Sequence, residues 1–279
     1  MRASRRGAAT VLAATLVAVI LSGCTVADVF RPNDPGADAF IGQCWFGPPD
    51  EITQWGTWTG DTAIGCGESH NLYTFAVDDL PKGIAKDWRR AGSSSTPSDV
   101  VSTAAQKLCA ASFDRLLPTH SWKQELLTWY FFLPSASAWE QGKRWVRCDL
   151  GVYRLGTTLS TRTLRALPDP IRPMLDSVKT HPKAFELCLS GARNPSPLLD
   201  TSATLADCRR SPQWVLAARG ALRASATDPY PGDATVAREV AALCRAATPG
   251  VGLERAGYGP TEMTWPLGRR EVQCWVSQP

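Results

Sequence analysis

Pro134 to Cys148 reads PSASAWEQGKRWVRC, and Pro260 to Cys274 reads PTEMTWPLGRREVQC. Both stretches are fifteen residues long, and Pro, Trp, Gly, Arg, Val and Cys fall at the same six offsets. Two more offsets pair Ser135 with Thr261 and Lys143 with Arg269. The last part of each stretch reads as a strand. In RWVRCDL, Trp145, Arg147 and Asp149 alternate with Val146, Cys148 and Leu150; in REVQCWV, Val272, Cys274 and Val276 take the second role. Period-two alternation predicts a strand with one buried face, and the Cys lies on that face in both copies. Gly142 and Gly268 stand where a turn at positive φ leads from the Trp into the strand. Arg144 and Arg270 share an offset and admit two readings. Each either stacks on its Trp (Trp139 or Trp265) and hydrogen-bonds a carbonyl, which is the reading we favour, or contributes to an anion or partner site made twice.

Working outward, the stretch ends each time on the fourth Cys of a set of four. Of nine cysteines, Cys24 stands apart, and eight remain: Cys44, Cys66, Cys109, Cys148, Cys188, Cys208, Cys244 and Cys274. Their gaps run 22, 43 and 39 in the first set, and 20, 36 and 30 in the second. The third Cys also matches: SDVVSTAAQKLCAA surrounds Cys109 and DATVAREVAALCRA surrounds Cys244. Val101, Ala105 and Leu108, like Val236, Val240 and Leu243, sit at i, i+4, i+7, one face of a helix, with Ser98 and Asp233 as N-cap residues. The fold class expected is therefore α+β: two tandem homologous modules, each a small antiparallel sheet packed with a helix and stapled by disulfides. Strands are expected over Phe40–Phe46 and His70–Val77 in the first module, and over Ala184–Leu189 and Trp214–Ala218 in the second. Disulfides kept within each module leave three pairings apiece. The expected set is Cys44–Cys66, Cys109–Cys148, Cys188–Cys208 and Cys244–Cys274.

The order of these elements resembles the septum formation domain family, known mainly from exported and membrane-anchored actinobacterial proteins. Tyr230, Pro231, Gly232, Asp233, Cys244, Pro260, Trp265, Gly268, Arg270, Val272 and Cys274 carry the resemblance in the second module. Cys109, Pro134, Trp139, Gly142, Arg144, Val146 and Cys148 carry it in the first. A His just past the second Cys, frequent in the family, is present as His70; Pro212 stands in its place in the second module. The first module has Leu80-Pro81-Lys82-Gly83 instead of Tyr-Pro-Gly. The resemblance implies a part in septation and brings with it neither catalytic residues nor a cofactor.

The N-terminus sets the compartment. Arg2, Arg5 and Arg6 precede Ala8 to Leu21, an apolar run interrupted only by Thr10 and Thr15. A charged start, a short apolar core and small residues before a cut site make an export signal. The run is shorter than the about 20 residues a membrane span needs. Leu21-Ser22-Gly23-Cys24 resembles the bacterial lipobox, which implies cleavage before Cys24 and a diacylglyceryl thioether on it, with acylation (palmitate) or a free amine at the new N-terminus. An uncleaved anchor helix is the other reading. Both place the bulk of the chain at the outer face of the cytoplasmic membrane. The chain carries 30 Lys and Arg against 26 acids. Removing residues 1–23 removes three Arg and no acid, so the mature chain is nearly neutral. That excludes the electrostatic footprint of a nucleic-acid binder.

The organisation expected is a lipoprotein signal peptide over 1–23, a tether over 24–39, a first module over 40–155, a connector over 156–182 and a second module over 183–279. The connector carries Leu164, Leu167, Ile171, Met174 and Leu175, so it reads as packed, with a short helix around Ile171 to Val178. The partners expected are the membrane, through the lipid on Cys24, and envelope or division proteins or wall glycan. His70, with Glu68 and Asp61 near it in sequence, is the polar candidate for chemistry. As a general base it needs a carboxylate orienter and a nucleophile within reach. No Gly-x-Ser-x-Gly occurs, and a His that fixes a strand–loop junction is the simpler account. The three His, at 70, 120 and 181, have no paired spacing, and neither Cys-x2-Cys nor His-Glu-x2-His is present, so no metal or other cofactor is expected. Trp55 and Trp58 lie between the first and second Cys, where the second module has no Trp; they are candidates for a glycan or partner surface. The reading is a non-catalytic binding or scaffolding lipoprotein of the envelope. The alternatives are a wall-polymer enzyme with His70 as base, and a carbohydrate-binding module using the loop Trp residues.

Overall fold

Between Cys44 and Ser277 the chain builds two five-stranded sheets, each holding one of the quoted strands at its centre or one strand from its edge. A computed structural model describes residues 39–47, 56–57, 63–84, 99–134, 136–159, 161–191, 202–225, 228–250, 254–262, 264–265 and 270–278. The first sheet contains β1 (Cys44–Trp45), β2 (Gly56–Thr57), β3 (Leu72–Asp79), β4 (Leu127–Leu133) and β5 (Trp145–Val152) in the order β1-β3-β5-β4-β2. The second contains β6 (Cys188–Ser190), β7 (Thr204–Ala206), β8 (Trp214–Ala221), β9 (Arg255–Tyr258) and β10 (Glu271–Ser277) in the order β7-β6-β8-β10-β9. The helices are α1 (Asp99–Leu116), α2 (Ala136–Glu140), α3 (Arg172–Thr180) and α4 (Asp233–Ala247). The class is α+β, as expected.

Four strands follow the same order in both sheets: β1-β3-β5-β4 and β6-β8-β10-β9. The fifth strands stand on opposite edges. β7 pairs antiparallel with β6, whereas β2 runs parallel beside β4, so the first sheet is not wholly antiparallel. Neither β4 nor β9 was anticipated. The signal for β4 was present in LTWYFFL, a continuous aromatic run between helix and closing strand, since such residues favour a pleated, buried surface.

All four disulfides pair as expected: Cys44–Cys66, Cys109–Cys148, Cys188–Cys208 and Cys244–Cys274. Cys109 on α1 ties to Cys148 on β5, and Cys244 on α4 ties to Cys274 on β10, so each helix is pinned to its closing strand. The predicted N-cap at Asp233 is corrected. Gly232, at φ 89°, is the cap, and Asp233 is the first helical residue. The Gly232 carbonyl accepts from the N–H groups of Thr235 and Val236, at 3.0 and 3.1 Å. Positive φ favours Gly there, and the carboxylate of Asp233 still sits at the favourable N-terminal end of the helix dipole. Ser98 and Gly268 lie outside the described residues.

No disulfide links the halves, yet one apolar cluster runs through both. It extends from Val101, Phe113 and Cys148 through Leu167, Met174 and Val178 of the connector to Leu189, Trp214 and Trp275. α3 is the helix expected in that connector; Met174, Leu175 and Val178 are its buried residues. Backbone hydrogen bonds reinforce the join. Leu126 N–H donates to Phe185 O at 3.1 Å, Leu187 N–H to Lys123 O at 2.9 Å, and Leu159 N–H to Ala203 O at 2.9 Å. A separate cluster lies under α4, where Val236, Val240 and Cys244 meet Val272 and Cys274. Gly257 of β9 permits that approach, because a Cβ on it would stand 2.2 Å from Val240 Cγ1.

Side-chain contacts also join the halves. Glu125 accepts from Arg219 Nε of β8 at 2.6 Å and from Gln273 Nε2 of β10. Burial pushes the Glu125 carboxyl above its usual 4.5, against the pull of Arg219 and Arg162. A carboxyl raised in the folded state contributes stability below about pH 4.5 and loses it as pH rises through the folded value. Relative to Glu125→Gln, the wild-type melting temperature is therefore expected to fall as pH is raised from about 4 to about 7. Parallel curves for the two proteins in a pH-scanned thermal melt would rule this out.

Candidate functional site

The quoted stretches set their Arg over their Trp in the same way twice. Gly142 adopts φ 92° between Trp139 and β5. The Arg144 guanidinium stands 4.0 Å from the Trp139 ring centre and donates to the carbonyls of Trp139 at 2.7 Å and Lys143 at 2.6 Å. Arg270 stands 3.5 Å from the Trp265 ring centre and donates to the carbonyls of Trp265 at 2.9 Å and Ser225 at 2.8 Å. The backbones agree as well: Leu80 N–H donates to Arg144 O and Leu222 N–H to Arg270 O, each at 2.9 Å. A guanidinium with one face on an indole and its N–H groups on carbonyls holds a corner in place. Both Arg are thus engaged in architecture. Tyr230 closes the second corner, with its ring edge-on to Trp265 at 5.5 Å and its hydroxyl donating to Asp233 Oδ1. Burial and the Asp233 carboxylate push the Tyr230 phenol up to about 12.

His70 lies just before β3 and is 1 % exposed. Its Nδ1 is 2.9 Å from the Glu68 carbonyl oxygen. A carbonyl can only accept, so Nδ1 carries the hydrogen. Nε2 is buried and has no hydrogen-bond partner among the described residues. The Glu68 side chain is exposed, and Glu68 meets the ring through its backbone. The His70 carbonyl accepts from Leu167 N–H of the connector at 2.8 Å. The residue thus sits where the first sheet meets the connector, and its ring offers a substrate no exposed nitrogen. Asp61 lies outside the described residues.

Trp55 and Trp58 also lie outside the described residues. The two residues between them, Gly56 and Thr57, form β2, with Gly56 opposite Phe132 and Thr57 opposite Leu133. The loop's described part therefore belongs to the outer edge of β4. Its start is held by Asn71, whose side-chain amide donates to Gly47 O at 2.8 Å and accepts from Gly47 N–H at 2.9 Å.

The sequence reading missed the most polar part of the interior. It placed Arg147 and Asp149 opposite the buried face of β5, but β5 is buried on both faces. Arg147 is 2 % exposed and Asp149 fully buried, and they form an ion pair at 2.9 Å. Asp149 Oδ1 accepts from Thr74 Oγ1 at 2.8 Å, and Thr74 Oγ1 accepts from Trp45 Nε1 at 2.9 Å. The guanidinium stands 3.8 Å from the Trp45 ring centre and 4.6 Å from that of Phe132. Trp45, Leu72 and Phe132 form the apolar cluster on this face, with Ala63, Tyr130 and Leu164 packed against it. Burial pushes the Asp149 carboxyl upward and the Arg147 guanidinium downward, and each partner's charge pulls the other back. The available signal was opposite charges at i and i+2, which share one face of a strand.

Among the described residues there is no group of three or more His, Cys, Asp or Glu that could hold a metal ion. No described helix is long and apolar enough to cross a membrane. A family model described as Septum formation matches residues 51–274. No curated protein and no solved structure matches the chain. The matched span runs from just before β2 to the last Cys of β10, and it includes both Trp–Gly–Arg corners and three of the four disulfides whole. The chain belongs to the septum formation family, which links it to cell division.

Proposed function

We propose that the chain is a lipid-anchored component of the cell envelope that binds or scaffolds other molecules at the septum and catalyses no reaction. Its two halves arose by duplication of one disulfide-stapled unit, and Cys24 carries the lipid at the outer face of the cytoplasmic membrane. The observation that carries the septal part of this reading is the family match over 51–274. The placement of the polar candidates supports it. His70 is buried against a backbone carbonyl, and both Arg of the repeated corner are spent on indoles and carbonyls.

Fractionation tests the anchor. Wild-type chain is expected in the membrane fraction, and Cys24→Ala in the soluble exported fraction or retained uncleaved. A single lipid gives only marginal, reversible binding unless a second acyl chain joins it. Intact-mass analysis of the wild-type protein should therefore show a diacylglyceryl group. A protein lacking that mass, or a Cys24→Ala variant still membrane-bound after signal cleavage, contradicts the anchor. A fluorescent fusion evenly distributed through the envelope during division contradicts the septal role.

A further inference from the structure

α1 differs from α4 on its outward side. With Cys109 matched to Cys244, Val100, Thr103 and Ala104 of α1 stand where α4 has Thr235, Arg238 and Glu239. α1 therefore carries two apolar faces. Val101, Ala105, Cys109 and Phe113 enter the core, and Val100, Ala104 and Leu108 form the floor of an external groove with Ile84. The groove has a volume of about 720 Å³. Val100 is 58 % exposed, among the most exposed large apolar side chains described. Lys107 and Arg115 line the same groove. They are eight residues apart, two turns of helix or about 12 Å. Asp78, the acid in the lining, accepts from Ser112 Oγ at 3.1 Å, and Ser112 Oγ accepts from Arg115 at 2.8 Å.

We propose that this groove is a docking site for an amphipathic helical segment of another protein, with an apolar stripe on α1 and carboxylates facing Lys107 and Arg115. Its lining follows α1 from Val100 to Arg115, about 22 Å of helix, as a helix-in-groove site requires. Charge selects the occupant. A second copy of α1 would bring Lys107 and Arg115 against their own kind. Residues 85–98 of this chain, AKDWRRAGSSSTPS, carry three cations and one acid, so they too are mismatched. The site extends the binding role proposed above to a specific surface. Its failure would leave the lipid anchor and septal location untouched, because those are read from fractionation and imaging.

The test uses the full chain in nanodiscs of zwitterionic lipid, with two labelled 18-residue amphipathic peptides that differ only in Glu or Lys beside the apolar stripe. Fluorescence anisotropy is expected to show binding of the Glu peptide at least about ten-fold tighter than that of the Lys peptide. Val100→Glu is expected to lower Glu-peptide affinity about ten-fold, and Lys107→Glu to reverse the preference. Both positions are exposed, and unchanged near-ultraviolet circular dichroism confirms that the variants fold. Equal binding of the two peptides, no binding, or indifference to Val100→Glu overturns the proposal. So does binding that needs residues 85–98 replaced by a Gly-Ser linker, which would assign the groove to the chain itself. Self-association abolished by Val100→Glu would assign it to a second copy, and Glu-peptide binding to empty nanodiscs alone would assign the signal to lipid.

Discussion

Asp149→Ala is expected to destabilise the fold by about 3–5 kcal/mol, because it leaves the Arg147 guanidinium buried without its counter-charge. The pair is enclosed on every side the structure describes. Trp45 and Phe132 cover the guanidinium, while Thr74 and Trp45 complete a relay onto the carboxylate. Removing both charges has a different outcome. Arg147→Met with Asp149→Leu restores an apolar interior of similar volume, and such replacements are often neutral or stabilising. Urea denaturation of the two single variants and the double variant forms the cycle. The expected pattern is two large single losses and a double variant within about 1 kcal/mol of wild type. A small loss for Asp149→Ala would mean that solvent reaches Arg147, and the enclosed relay would be wrong. A double variant as unstable as the singles would mean that the pair specifies the packing of β1, β3 and β5 beyond its charge.

Replacing both Cys109 and Cys148 with Ala is expected to cost about 4 kcal/mol in the chain-entropy account. The bridge closes a loop of 39 residues. Both sulfurs lie in the apolar cluster that continues through the connector into the second half. Domain stabilities are commonly 5–15 kcal/mol, so a loss of about 4 consumes a large share. The continuity of the cluster adds a second expectation. Unfolding of the variant is expected as one cooperative transition, with Trp214 and Trp275 of the second sheet losing their environment together with α1. Two resolved transitions in calorimetry would show that the halves unfold independently. Cys66 is half-buried whereas Cys109 and Cys148 are fully buried. Graded reductant is therefore expected to open Cys44–Cys66 before Cys109–Cys148, as mass spectrometry of alkylated intermediates can report.

The Trp–Gly–Arg corner was legible because its physics is short-range. Gly142 turns the chain, Arg144 reaches back five residues to the Trp139 carbonyl, and the same spacing recurs at Arg270 and Trp265. Cysteine spacing was legible for a related reason: matched gaps in two sets restrict the pairings before any contact is known. Asp233 was misplaced by one residue because Gly232 and Asp233 both suit a helix start. Only the backbone angle separates the cap from the first turn. β2 was not anticipated, since two residues pairing across to β4 carry no periodicity of their own.

By itself, the sequence determined two sets with the same order of Cys, helix and closing strand, three possible disulfide pairings within each set, and the side of each closing strand that faces its helix. These follow from covalent spacing and from alternation within a few residues. The structure picked the expected pairing from those three. Tertiary structure alone decided that β5 is buried on its second face too, since that depends on β1, β3 and β4 bringing Trp45, Thr74 and Phe132 across from distant parts of the chain. It also decided that His70 is enclosed beside the connector, and that the halves share one core. A connector rich in apolar residues announces that it will be buried, but which surfaces it buries is settled only when both sheets are present to accept it.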